Sequence, residues 1–424
     1  MKEATPNDAG SRQPKRVGGR AGLPQKLAYG LRVVPSFVWQ RATRRVPKGK
    51  IHLVIAMADH FEPAIVPHDG MARAPYVEQE ARVERWCREY PKAVERWRDA
   101  DGQPFAHTYF YPAEQYDRGH VSRLAEHCRA GWGEIEIHLH HGIPVPDTPE
   151  NLRQTLVSFR DKLVLEHGCL SREESGLSPR FCFVHGNFAL ANSAEGFGCG
   201  VEEELQILAE EGCVADFTFP ANPFNPAQRA LINSLYECEP ELSERAAFRS
   251  GTALARGRSV RKFPFMVQGP LAFSSGGGRG IRIENGSFTA NNPPSLQRLQ
   301  LWKRAMIAVE DRPDWLFIKL HCHGMDPEQE EAVLGAAFKN FLQSMVEGAT
   351  ERDEILHFVS TREMVNIILA ACDGKEGSPG DYRDYRLRKW NDFQHTDATA
   401  SRVSQNRRDP GRPEADFSQT VEKR

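Results

Sequence analysis

The sequence predicts an α/β protein in which parallel strands alternate with helices and the sheet curls into a closed or nearly closed barrel. Three observations point there. From Lys50 onward, short apolar runs of strand character alternate with amphipathic stretches of helical period. Such alternation implies a parallel sheet covered by helices. About seven or eight units follow one another in a single 424-residue chain, which suits a barrel, with an open doubly wound sheet as the alternative. Almost every predicted strand also ends in a polar residue, as expected where strand ends converge on one functional face.

In chain order, strands are expected over 51–57, 105–111, 134–140, 180–185, 213–219 and 263–273, the last broken at Gly269-Pro270. Two more follow, over 315–321 and a short 357–360. Helices are expected over 76–98, 114–130, 149–167, 200–211, 295–309, 327–347 and 361–372. Thr148-Pro149 and Asp326-Pro327 read as helix starts, because proline at the first helical position has no intrahelical donor to lose. The stretch 220–290 breaks the rhythm. It is rich in Pro, Asn, Gly and Arg, and reads as an inserted loop region over the C-terminal strand face, a lid on the mouth of the barrel.

Charge is unevenly spread. Residues 1–50 hold twelve Lys/Arg against two Asp/Glu, a surplus of ten positive charges in a chain whose net charge is −2. Residues 1–48 are expected to be a basic, disordered arm able to make weak peripheral contact with an anionic membrane, and 391–424 a disordered tail. The folded domain is expected over 49–390. No run approaches the roughly 20 apolar residues of a membrane span. The start, Met1-Lys2-Glu3-Ala4-Thr5-Pro6, lacks the apolar core of a secretory signal, so the expected location is cytoplasmic. Nine cysteines without a Cys-x-x-Cys pair fit a reducing compartment and argue against a disulfide framework. No nucleic-acid-binding motif accompanies the basic arm.

The chemistry collects in two histidine clusters. In Glu134-Ile135-Glu136-Ile137-His138-Leu139-His140-His141, strand alternation puts Glu134, Glu136, His138 and His140 on one face and the apolar residues on the other. In Leu316–His323, Lys319, His321 and His323 oppose Leu316, Ile318 and Leu320. Further polar strand ends are Asp59-His60-Phe61-Glu62, His185-Gly186-Asn187, and Asp216 in the fifth strand. An aspartate from one strand with two histidines from another can complete a facial set around a divalent ion, leaving positions for water and substrate. An ion so held acidifies a bound water and polarises a carbonyl, which predicts hydrolysis of an acyl or amide bond.

Plainer readings stand beside these. His138 and His140 can be satisfied by Glu134 and Glu136 inside the barrel; His141 points away if the strand continues. His185 and Asn187 can serve a turn, Asp216 can be a buried hydrogen-bonding residue, and Glu62 can shape a loop. The Gly276–Gly280 run is not a phosphate loop, because no Lys-Ser/Thr pair follows it. Trp132 and Tyr109-Phe110-Tyr111-Pro112 are candidates for lining a sugar site.

As an ordered series of motifs from about Ile51 to Cys372, the chain resembles the polysaccharide deacetylase family, the NodB-type branch of the glycoside hydrolase/deacetylase (β/α)-barrel superfamily. Ala58-Asp59-His60 matches its strand-one aspartate motif; His138, His140 and His141 match its metal-binding histidine motif. Leu316–His323 matches the late strand carrying a catalytic histidine, and Asp216 the mid-barrel aspartate. The sequence departs from the pattern in three places. The first-strand aspartate pair is replaced by Asp59-His60, the histidines fall at i, i+2 and i+3 rather than i and i+4, and Phe183-Val184-His185-Gly186-Asn187 offers no arginine.

The resemblance implies a distorted (β/α)7-type barrel and removal of acetyl groups from a carbohydrate or polysaccharide, in a group associated with bacterial surface or exopolysaccharide functions. It implies a divalent metal, zinc being the expected ion, with Asp59, His60, His138, His140 and His141 as the ligand pool. Asp59 or Asp216 would supply the base, His321 or His323 the proton donor, and His185 and Asn187 substrate contacts. Two rivals are a glycoside hydrolase using Glu136 and Asp216 as its carboxylate pair, and a non-catalytic carbohydrate-binding scaffold protein.

Overall fold

The longest strand, β1 (Ile51–His60), divides its side chains between two cores. Leu53, Ile55 and Met57 join one apolar cluster, while Val54, Ala56 and Ala58 join another. A strand buried on both faces reads as a nearly continuous apolar run, as this one does. The computed structural model describes residues 23–70, 72–239, 250–275 and 281–392. The expectations for residues 1–22, for Gly276–Gly280 and for 393–424 lie outside the described residues.

The chain opens with α1 (Leu23–Thr43), then β1, α2 (Tyr76–Val94), β2 (His107–Pro112), α3 (Arg118–His127), β3 (Gly133–Leu139), α4 (Pro149–Leu165), β4 (Ser171–Glu173), β5 (Phe181–His185), α5 (Glu204–Glu210) and β6 (Cys213–Asp216). The strands β7 (Leu235–Glu239), β8 (Ser250–Ala253), β9 (Phe265–Val267), β10 (Ala272–Ser275) and β11 (Ile281–Glu284) follow. The rest is α6 (Leu296–Arg304), β12 (Trp315–Cys322), α7 (Glu330–Val333), α8 (Ala336–Glu347), β13 (Glu354–Val359), α9 (Thr361–Cys372) and β14 (Leu387–Lys389). The expectation of a mixed α/β fold with a mostly parallel central sheet is met. Leu23–Thr43 is a correction: the stretch expected to be part of a disordered arm is a helix docked on the body through Val33 and Phe37.

The main sheet runs β12-β1-β2-β3-β5-β6-β9-β7-β8, with β13 also paired to β1. The pairs from β12 through to β9 are parallel; β9-β7 and β7-β8 are antiparallel. Among the described residues no strand pair joins β12 to β8. Instead the chain at 307–310 spans them: the Phe317 N–H donates to the Ile307 carbonyl (2.8 Å) and the Glu310 N–H to the Leu254 carbonyl (2.8 Å). The region expected to be one insertion is mixed, since β9 inside it is a member of the main sheet while β10 and β11 form a separate hairpin.

The two faces of the sheet have different covers. One packs against α2, α3, α4, α5, α6 and α8 through residues such as Trp86, Leu124, Phe159, Leu208, Trp302 and Phe341. The other, bearing Val54, Phe110, Val184, Phe217, Phe265 and Phe317, shares its core with α9. From Met364 to Cys372 the only polar residue is Asn366, the pattern of a helix enclosed on every side, and α9 is buried along almost its whole length. Its start is fixed by a reciprocal capping box between Ser360 and Glu363. Two of its buried polar residues, Arg362 and Asn366, are tied to neighbouring elements. Arg362 pairs with Glu134 at 2.9 Å, and Asn366 holds the backbone at Arg386 and Leu387. The face lined by α9 also carries, at the C-terminal strand ends, the histidine clusters.

Candidate metal centre

His60 is the last residue of β1, His138 lies one residue from the end of β3, and His140 and His323 each follow a strand end. Register puts Ala58 beside His321 and Phe110 beside both His60 and Glu136, so these strands present their polar ends to a common face. Into that group Pro63 and the turn after β1 bring Glu62. Its Oε1 lies 3.3 Å from His138 Nε2, 3.7 Å from His140 Nε2, 3.8 Å from His323 Nε2 and 3.9 Å from His60 Nδ1. The His60 ring sits 4.7 Å from that of His138 and 4.8 Å from that of His323, centre to centre.

Outer hydrogen bonds hold two of these rings in the orientation that ligation needs. His138 Nδ1 donates to the Val184 carbonyl at 2.8 Å, which leaves Nε2 as the lone-pair nitrogen facing the group. His140 Nδ1 donates to Glu114 Oε1 at 2.7 Å, and the His140 backbone N–H reaches the same carboxylate. Gly186 lies flat against the His140 ring, where a Cβ would come within 2.2 Å. His60 Nδ1 is buried with no hydrogen-bond partner. A buried, unpaired nitrogen costs free energy unless something occupies it.

The electrostatics agree with a cation site. Burial raises the Glu62 carboxyl, but His140, His138 and His323 outweigh it and hold it down at about 2. Burial lowers His140, yet the carboxylates of Glu62 and Glu114 push it up to about 9. His60 and His138 are held below the usual range by burial, to which neighbouring histidines add. A negative field that favours a proton on His140 also favours a divalent ion in its place. Imidazole nitrogens with one carboxylate match the preferences of zinc and its first-row neighbours, so the donor set can hold a metal ion. Beside it opens a cavity of about 430 Å³, lined by Glu62, His68, Arg73, Glu114, His140 and Asn187 among others. A larger hollow of about 770 Å³ lies between α4 and α5 and lacks any histidine.

Several residues singled out from the sequence lie elsewhere. Asp59 is fully buried on the opposite face from His60; its carboxylate meets His107 Nδ1 (3.2 Å) and accepts from the Gly324 N–H (2.7 Å), with Cys322 adjacent. His141 turns away to Asp147 Oδ2 (3.0 Å) and Glu204 Oε1 (2.9 Å). His185 lies in that same buried group with Cys199 and Glu204, and its Nδ1 accepts from the Asn187 N–H. These two further groups also have the residue types to hold an ion. Asn187 lines the cavity, while its side-chain amide donates to the His141 and Gly198 carbonyls.

Asp216 is displaced by a bulge. β5 and β6 pair Phe181 with Cys213 but Cys182 with Ala215, one residue extra on β6. The bulge moves Asp216 into register with Phe183 and so onto the face opposite His138. There it accepts from the Thr218 hydroxyl at 2.7 Å. Glu136, the other half of the glycoside hydrolase pair, accepts from the Cys182 N–H at 2.7 Å. His321 stays on the face of His60, buried, with Nδ1 unpartnered. Glu114 is the residue the sequence reading missed, while Glu62, read there as a polar strand end that could equally shape a loop, lies at the centre of the group.

The fold and site thus define an α/β protein whose parallel strands deliver a histidine–carboxylate group fit for a metal to one end of the sheet. No family model matches the chain, and no curated protein matches it. Among the described residues, no helix is long and apolar enough to cross a membrane.

Proposed function

We propose that the protein is a metal-dependent hydrolase that removes acetyl groups from a carbohydrate or polysaccharide. The observation that carries this reading is the convergence of four histidine nitrogens within 4 Å of one carboxylate oxygen at the C-terminal strand ends. His60, His138 and His140 would hold the ion, zinc being the first expectation. Bound there, a divalent ion supplies an acidified water and a polarised carbonyl.

Glu62, ionised and buried beside all four rings, would add the carboxylate to that ligand set. His323 has about a third of its side chain exposed, the most open of the four, and delivers a proton to the departing sugar oxygen or nitrogen. Glu114 orients His140. The cavity wall of Arg73, Gln115, His68 and Asn187 offers donors and acceptors to sugar hydroxyls. The consecutive parallel strands β1, β2, β3, β5, β6, β9 and β12 support the distorted (β/α)7 arrangement of such enzymes.

The test is metal content by elemental mass spectrometry of the wild type and of His138→Ala/His140→Ala, followed by acetate release from acetylated glycans. Near-stoichiometric metal that is lost in the double variant, together with acetate release by the wild type alone, is the expected result. Equal metal in both proteins, or none in either after reconstitution, sinks the assignment.

A further inference from the structure

The helix α1 is apolar on two sides. Val33 and Phe37 pack on Ile232, Leu271 and Ile283, Gln40 Nε2 donates to the Ile232 carbonyl at 2.8 Å, and Arg44 donates to the Asn233 and Ala305 carbonyls. That face is anchored. On the outer side, Leu27, Leu31, Val34, Val38 and Trp39 are between 43% and 70% exposed. At 3.6 residues per turn, the spacing 27, 31, 34, 38 places four of them within about 60° of arc, a continuous stripe along three turns. The other exposed large apolar residues, such as Val145, Leu165 and Leu177, are scattered over the rest of the chain. Scattered residues need no explanation, whereas a stripe does.

The charge around the stripe narrows the choice of partner. Leu23–Thr43 contains Lys26, Arg32 and Arg41 and no Asp or Glu, and residues 1–50 carry ten more positive than negative charges. The remainder of the chain is correspondingly acidic. Pairing two copies of α1 through the stripe would bring Lys26, Arg32 and Arg41 of each copy together with no acidic residue on either helix. An anionic lipid surface meets both demands, because acyl chains accept the leucines and headgroups accept the cations. Trp39 suits the boundary between them.

We propose that α1 docks the protein on anionic lipid bilayers, with Leu27, Leu31, Val34 and Val38 entering the interface and Lys26, Arg32 and Arg41 facing the headgroups. The test is sedimentation of the full chain with vesicles of phosphatidylcholine, alone or mixed with phosphatidylglycerol. Wild type is compared with Leu27→Glu/Leu31→Glu and with Arg32→Glu/Arg41→Glu, and each sample is also sized by light scattering. All four side chains are exposed, so unchanged melting curves are expected for both variants.

The wild type is expected to partition onto the phosphatidylglycerol vesicles, to be released by salt, and to lose at least about tenfold in partition in either variant. Absence of binding, or equal binding by wild type and variants, overturns the proposal. Equal partition onto phosphatidylcholine alone overturns the anionic preference. A wild-type dimer that Leu27→Glu/Leu31→Glu converts to a monomer, with no vesicle binding by either, shows that the stripe is a self-association surface and also overturns it.

Discussion

Glu114 holds His140 by its ring nitrogen and by its backbone N–H, so its effect on a bound metal is felt through the ring it orients. Glu114→Gln keeps the shape and weakens that hold. Metal affinity measured by competition with a chelator should fall by about 10–100-fold, with the melting temperature of the metal-free protein little changed. Gly186→Ala acts on the same ring by contact, since the new Cβ meets His140 from the side. It should likewise weaken metal binding while far-ultraviolet circular dichroism stays as in the wild type. An unchanged affinity in both variants would remove His140 from the ligand set. These expectations separate His140 from Asp59, whose carboxylate is already engaged by His107 and the Gly324 N–H; Asp59→Asn should lower stability while leaving intact the metal that His138→Ala/His140→Ala removes.

At the scale of the element, α9 is the helix whose burial is most complete, and its ties to β3 are ionic. Burial raises the Glu134 carboxyl, but Arg362 and Lys389 outweigh it and hold it at about 2 against the usual 4.5. A carboxyl depressed on folding adds stability that is present above its unfolded value and is lost as pH falls through its folded one. Acid titration of the unfolding free energy should therefore show a loss between pH of about 4.5 and 2 that is smaller in Glu134→Gln. The opposite substitution, Arg362→Ala, strands a buried carboxylate and should cost about 3–5 kcal/mol by urea denaturation. Ser360→Ala removes one half of the capping box and should cost about 1 kcal/mol.

Across the whole molecule, the cores on the two sheet faces are complete without the histidine group, which sits above them at the strand ends. Removing metal with a chelator should therefore leave the secondary structure in place and lower stability by the binding term alone. That term is about 2.7 kcal/mol for an ion present at 100 times its dissociation constant. Collapse of the circular dichroism spectrum on chelation would instead make the ion part of the fold.

Legibility from the sequence followed the range of the interaction. Alternation along a strand is local, so β1, β3 and β12 could be read residue by residue, and with them the shared face of His138 and the exits carrying His60 and His323. Helix α9 was likewise legible to its ends, because its apolar run lies within the helix. What passes between strands was not legible. Whether Asp216 shares a face with His138 depends on one bulged residue between β5 and β6. That Asp59 faces away from His60 follows from alternation alone, but that Glu62 swings back among the histidines and that His185 meets Glu204 and Cys199 depends on the path of a turn and on the packing of α5. The docking of α1 depends on a distant surface formed by Ile232, Leu271 and Ile283. The sequence by itself determined the alternating elements and the stock of histidines at strand ends, because side-chain period is set by the backbone. Only the tertiary structure decided which donors meet, because facing is a property of pairs of strands.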